Sequence, residues 1–425
     1  MYFRSVTSSK HTIRFGSRVN AKALRDFVPA LYECINRGHE TLVLDFRRSD
    51  RAYGDAMLPI ICLVEHRRAR GTQFRVLLPT TPTLAQLFLN TNWAHYLDPS
   101  HQKLDIEHRQ HLALRRFQTS AEQQASVNAA LDVVLRTMEL RRDVLAALEW
   151  SLNEITDNVL NHAQSERGGF VQVSTFGDDH LIKFYVADGG RGIPNSMRVR
   201  FPHLKTDADA LGEAVKAGVT SIPDSGQGNG LAGSLRIATS ANGSFRIMSG
   251  KAQFDVFKER PTSSYRTQRG QTGGGFRFPG TSVMVELDTR ADFAIEEALG
   301  LDGTPRTEVT DAVDLLYSDD SGQLRLTLRD ETLGFGTRHA GVELRRKLKN
   351  LLNAEPSARL ILDWSGVPLV SSSFADEALG KLFVELGPVA FGSRIVLVGA
   401  EPLVASLIDR AIMQRISHAT GAGNG

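Results

Sequence analysis

Residues 148–163 read LEWSLNEITDNVLNHA. Leu148, Leu152, Ile155 and Val159 recur at helical spacing and form one apolar stripe, the face such a helix buries. Glu154, Asn158 and His162 recur every four residues and make a polar stripe on an adjacent face. Hydrogen bonding between residues four apart would account for that stripe if it stood alone. It does not stand alone, because the residues downstream add the other parts of a binding site.

The strand pattern LIKFYVA, residues 181–187, ends in Asp188 and the turn GGRGIP, residues 189–194. Glycines after a strand-end carboxylate let backbone approach a ligand closely. SGQGNGLAG, residues 225–233, leads glycine-rich backbone into the helical run 231–239. Free amides at a helix start favour anions, so this is a phosphate cradle. GTSVMVELD, residues 280–288, is a Gly-Thr entering an alternating strand. Each element alone is weak; four in this order and spacing are specific.

The order Glu-x-x-x-Asn, Asp-x-Gly-x-Gly, Gly-x-Gly-x-Gly-Leu and Gly-Thr is similar to the four ATP-site boxes of the GHKL superfamily, which includes gyrases, heat-shock chaperones, histidine kinases and mismatch-repair ATPases. The resemblance covers roughly residues 149–287 and implies a Bergerat-type α/β sandwich holding Mg-ATP between sheet and helices. It implies that Asn158 completes the Mg²⁺ shell, and that Asp188 accepts a hydrogen bond from the adenine amino group. By the same resemblance Gly190 and Gly192 admit the base and ribose, Gly228 and Gly230 cradle phosphates, and Thr281 supports Asp188. His162, Ile193, Gly226 and Leu231 lie in the same boxes and count with the nucleotide contacts. Residues 194–226 would be a mobile lid, with Lys216 as its phosphate contact.

Glu154 decides the chemistry. A carboxylate there can act as general base, towards water in hydrolysis or towards an acceptor hydroxyl in phosphotransfer. Residues 121–150 contain no histidine, so the phosphoacceptor of a histidine-kinase hairpin is missing. The Glu, Asn, His-Ala form of the helix looks closest to the anti-sigma-factor serine kinases.

The flanks alternate strand and helix. In residues 1–98 the strand-like runs are 11–15, 41–46 and 74–78, with helical patterns at 21–36, 55–70 and 84–89. In residues 322–418 strands are expected at 324–328, 359–362 and 394–398, and helices at 340–352, 374–385 and 402–415. TLVLDF at 41–46 matches RLILDW at 359–364 in placement, which reads as a divergent internal duplication around the centre. LILDWSGVPLVSSSFADEALGKLF, residues 360–383, resembles the STAS fold of anti-sigma antagonists. Its cluster Ser371, Ser372 and Ser373 lies where antagonists carry a phosphorylated serine, although Ser371 and Phe374 replace the usual Asp and Gly. Ser372 is therefore a candidate phosphoacceptor, and helix capping by Ser372 or Ser373 is the plainer reading. The first copy keeps only Ser49 near this turn and reads as a degenerate STAS-like domain.

The expected architecture is a central Bergerat-type α/β sandwich at 121–290, with STAS-like α/β domains at 1–98 and 322–418. Segments 99–120 and 291–321 read as linkers, 261–275 as a mobile low-complexity loop and 419–425 as a disordered tail. The His-rich stretch before residue 117 lacks metal-ligand spacing. The chain has 425 residues and a net charge of +2, from 50 basic and 48 acidic side chains, which argues against nucleic acid as a partner. The longest clean apolar run, 57–64, is too short for a bilayer, and residues 1–10 hold no secretory signal. Cys34 and Cys62 sit among apolar residues and read as buried thiols of a cytoplasmic protein. The leading expectation is a regulatory protein that binds and slowly hydrolyses Mg-ATP, with the STAS-like modules engaging a protein partner or a second copy. A serine kinase acting on a STAS domain and a non-hydrolysing ATP-sensing scaffold are the alternatives.

Overall fold

The computed structural model describes residues 5–104, 111–216, 230–258, 265–271, 277–299, 313, 317, 323–332 and 334–421. It is a mixed α/β chain, and its contacts divide it into two compact units, Met1–Ala130 with Trp150–Asp302 and Leu131–Glu149 with Gly303–Gly425. The sequence blocks suggest three bodies. The N-terminal block and the central block instead share one.

The reason lies in one helix. The N-terminal strands are β1 (Val6–Ser9), β2 (Thr12–Phe15), β3 (Arg18–Val19), β4 (Thr41–Asp45), β5 (Arg51–Ala52) and β6 (Gln73–Leu77). Four of them form a sheet in the order β1-β2-β4-β6, with β2, β4 and β6 parallel. Helix α1 (Ala21–Asn36) starts at Asn20, whose side chain accepts from the amides of Lys22 and Ala23 and satisfies a free helix end. Helix α2 (Gly54–Arg68) is buried at every residue from Ala56 to Val64. A helix that is apolar all round must be covered on all sides. One side of α2 packs on α1 and β6, and the other on strands of the next sheet. Helices α3 (Pro82–Asn90) and α4 (Trp93–Leu97) complete this layer.

The larger sheet contains β7 (His111–Phe117), β8 (Gly169–Phe176), β9 (Leu181–Asp188), β10 (Ser244–Gly250), β11 (Ala252–Lys258), β12 (Tyr265–Gln271) and β13 (Phe278–Asp288). Its order is β12-β11-β10-β13-β9-β8-β7, and all neighbours are antiparallel. Side chains alternate along β9, so Tyr185 and Ala187 enter the apolar cluster with α2 while Phe184, Val186 and Asp188 point the other way. Helices α5 (Ser120–Thr137), α6 (Arg142–Asn158), α7 (Ile193–Arg200), α8 (Asp207–Ala214), α9 (Gly230–Ser240) and α10 (Ile295–Leu299) complete the centre of the chain. Leu148, Leu152, Ile155 and Val159 are buried, as the apolar stripe of α6 requires.

The start of α2 is keyed to the larger sheet. A methyl group on Gly54 would lie 2.7 Å from Cε2 of Tyr185, so only glycine fits there. Next to it Asp55 accepts a 2.6 Å hydrogen bond from Arg246, which also bonds Asp255 at 2.8 Å.

Three expectations about connecting segments change. The segment 99–120 contains edge strand β7, and 261–275 contains edge strand β12, which pairs with β11 from Ala252↔Gln271 to Lys258↔Tyr265. Backbone pairing along a sheet edge stabilises both, and β7 also buries Leu112, Leu114 and Phe117. Segment 291–321 contains α10, with Ile295, Ala298 and Leu299 buried. The last helix runs to Gly421, past the start of the tail expected from residue 419, and residues 422–425 lie outside the described residues.

In the second unit β14 (Leu324–Thr327), β15 (Leu360–Asp363) and β16 (Ile395–Val398) form a parallel sheet in that order. Helix Arg338–Ala354 follows β14. A helical run from Ser372–Ala375 through a π-helical turn, Asp376–Gly380, to Lys381–Leu386 follows β15, and Pro402–Gly421 follows β16. The end of α5 and the start of α6 belong to this unit. Asn350 is buried and donates to the carbonyls of Leu135 (2.8 Å) and Met138 (2.7 Å) while accepting from the amide of Leu140 (3.0 Å). It thereby satisfies the free carbonyls at the end of α5. Lys347, also buried, reaches Asp132 at 2.6 Å, pairs with Glu331 and lies 4.8 Å from the centre of the Tyr317 ring.

The two flanking sheets repeat local detail as well as order. Asp45 Oδ1 accepts from the amide of Arg47, and Asp363 Oδ1 from that of Ser365. The buried Phe46 donates its amide to Leu77, and the buried Trp364 to Val398, both at 2.9 Å. The following helices begin at Gly54 and at Ser372, at matching places in the two repeats. Among the described residues no helix is long and apolar enough to cross a membrane. Cys34 and Cys62 are buried free thiols.

Candidate functional site

Asp188 ends β9 opposite Thr281 of β13. Its side chain is 3% exposed, and Oδ1 accepts the amide of Gly190 at 2.8 Å. The amide of Thr281 also bonds the carboxyl group. Burial outweighs these two donors and pushes the Asp188 carboxyl up to about 7. The result is a buried acid at a strand end held by backbone amides.

Glycine is required around it. A methyl on Gly190 would overlap the carbonyl oxygen of Ala163, and one on Gly280 would overlap that of Asp188. Gly192 adopts φ +75°, a left-handed conformation open to glycine without strain, and starts α7. The amide of Ile193 then donates to Ser249 Oγ at 2.9 Å, and that hydroxyl donates to Gly280 at 2.8 Å. Ser249 Oγ also lies 3.2 Å from Thr281 Oγ1. Ser249 thus ties the turn after Asp188 to the strand that supports it. No motif marks this serine, because only the sheet brings β10 next to β13.

Across from this turn, α6 ends in a π-helical turn, Val159–Ala163. Such turns concentrate at functional sites because they re-aim side chains. The amide of Arg191 donates to Ala163 at 2.8 Å and its Nε to the His162 carbonyl at 3.0 Å, so the two segments are held together. His162 keeps a buried Nδ1 with no hydrogen-bond partner among the described residues, and burial lowers its pKa. The π turn moves His162 off the regular four-residue spacing from Asn158.

Glu154 and Asn158 face the start of α9. A methyl on Gly230 would lie 2.5 Å from Glu154 Oε2 and 3.4 Å from Asn158 Nδ2. Gly230 therefore opens its helix directly over the carboxylate and amide. Burial, and then the nearby Asp157, raise the pKa of Glu154. Leu231 is half-buried against Met197, Leu204, Ala210 and Ala214. Gly226 and Gly228 lie outside the described residues. Lys216 follows α8 with its side chain exposed and paired to Glu213 at 2.6 Å.

Among the described residues no three His, Cys, Asp or Glu side chains cluster as a metal site. In the second unit Ser371, not Ser372 or Ser373, caps the helix, accepting the Phe374 amide at 3.0 Å. Ser371 takes this place because its backbone is still extended while Ser372 is already helical. Ser372 is left exposed at the first helical position.

Residues 340–405 match a family model described as a STAS-like domain of unknown function. No curated protein and no solved structure matches the chain.

Proposed function

We propose that residues 121–290 form a GHKL-type, Bergerat-fold domain that binds Mg-ATP and slowly hydrolyses it, and that the STAS-like modules engage a protein partner. The observation that carries this reading is the juxtaposition of two half-sites. The buried Asp188 carboxyl lies within a turn where side chains beyond glycine would clash, and Gly230 opens α9 over Glu154 and Asn158. These residues fit ATP. A buried carboxyl offers an acceptor to an exocyclic amine, close-packed glycines leave room for a base, and a helix start offers amides to phosphate. Phosphate with Mg²⁺ supplies a good leaving group and spreads the developing charge.

The chain's own residues divide the work. Asp188, held by the amides of Gly190 and Thr281, selects adenine. Asn158 would offer its amide oxygen to Mg²⁺, which would supply charge neutralisation at the phosphates. Glu154, whose pKa burial raises, is the stronger base for it and is suited to accept a proton from water. Purified protein with Mg-ATP is expected to release ADP and free phosphate. Glu154→Ala should cut turnover by about 100-fold or more while ATP still binds. Unchanged turnover in that variant would end the hydrolysis reading.

A specific observation favours a second reading. Ser372 presents an exposed hydroxyl at a helix start, where a phosphate would be stabilised by the helix dipole. Were the chain a serine kinase, intact mass would rise by one phosphate on incubation with ATP, and Ser372→Ala would abolish the gain.

A further inference from the structure

Helix α2 belongs to the N-terminal layer, yet it lies along the back of the strand that carries Asp188. Gly189 continues the alternation of Tyr185 and Ala187, so its Cα faces α2. There it meets His66: a methyl on Gly189 would lie 3.3 Å from Nδ1, 3.4 Å from Cβ and 3.5 Å from Cγ of that residue. One turn earlier on α2, Cys62 is buried within the field of Asp188. Leu63 and Val64 are buried between them, so this end of the helix has no room to slide. The turn Asp188–Gly190 is thus gripped from both sides, by Ala163 and Arg191 in front and by His66 behind.

We propose that His66 is a positioning residue, the back wall that fixes the Asp188–Gly190 turn. The N-terminal domain would then help set the base selectivity of the nucleotide pocket. The proposal rests on the ATP reading for its ligand and on the packing alone for the positioning. A ligand carboxyl that selects one base must be held to within a fraction of an ångström, and a gap behind a glycine turn removes that restraint. Loss of the wall should affect the amine-recognising contact and leave phosphate binding alone.

The test uses the full chain and its His66→Ala and His66→Gln variants. Amide exchange at Gly190 is followed without nucleotide, and ATP and GTP affinities are measured by fluorescent-nucleotide competition. In His66→Ala, exchange at Gly190 should quicken and the ATP-to-GTP affinity ratio should fall about tenfold, equivalent to about 1.4 kcal/mol. His66→Gln, which refills the space behind Gly189, should recover most of both. Should His66→Ala fail to fold, Gly189→Val, whose branched side chain has no room beside His66, displaces the turn from the other side and should give the same two changes. An unchanged ratio and unchanged exchange overturn the proposal. Equal losses for ATP and GTP also overturn it, since they indicate general loosening. If the wild-type chain binds neither nucleotide, the ATP reading fails, and Gly190 exchange alone decides whether His66 holds the turn.

Discussion

Asp188 carries the sharpest conflict between stability and use. Its pKa in the folded chain, about 7, stands above the ordinary aspartate value of 3.8. The protonated acid is therefore the form the fold prefers. Its stabilising effect is complete below the unfolded pKa and is lost as pH rises through about 7. Adenine needs the opposite, because an ionised acceptor makes the stronger hydrogen bond. ATP affinity should thus rise as pH is raised through about 7, a titration that isothermal calorimetry would resolve. Asp188→Asn should remove that titration, weaken ATP binding at least about tenfold and raise the melting temperature at alkaline pH. A variant that loses affinity and melts lower would contradict the assigned burial effect. Asp188, Glu154 and Asn158 were legible in the sequence because each side chain sits in a local pattern. Ser249 and His66 were not, because their partners lie on other strands and helices.

At the scale of elements, α2 shows how a packing partner overrules local preference. Gly54 opens this helix, where alanine would ordinarily gain at most about 1 kcal/mol in propensity. Tyr185 stands where the new methyl would go. Overpacking costs about 1–3 kcal/mol, so Gly54→Ala should destabilise the chain on balance, as measured by urea unfolding. Tyr185→Leu in the same background should return part of the loss, and a stabilised single variant would show that this contact gives way freely. The strand β12 makes the complementary point. Its residues look like a loop because nothing in YRTQRGQ announces a strand, and the ladder with β11 is what orders their backbone. Helix boundaries fared better: 21–36 was expected and Ala21–Asn36 found, since Asn20 and a clean apolar stripe announce that helix.

Over the whole molecule, two units replace three blocks, and the end of α5 and the start of α6 belong with the C-terminal sheet. Asn350 makes three hydrogen bonds to the α5–α6 connection from a buried position. Its replacement by alanine leaves backbone groups unsatisfied at about 1–3 kcal/mol each. Asn350→Ala should lower the stability of the second unit by about 2–4 kcal/mol, read by calorimetry. The shift that Mg-ATP produces in the first unit should persist. Abolition of both at once would show that the two units unfold as one. The sequence by itself determined the apolar stripe of α6, the glycine turns, the order of strands and helices in both flanks, and the likeness between those flanks. These are written in local spacing, which a chain carries whatever it later packs against. Tertiary structure decided that the N-terminal layer shares a core with the larger sheet. It also decided that α2 is covered on both sides, that β7 and β12 close the sheet's edges, and that Ser371 caps the helix beside Ser372. Each depends on residues far apart in the chain meeting in space, where burial and backbone pairing outweigh local propensity.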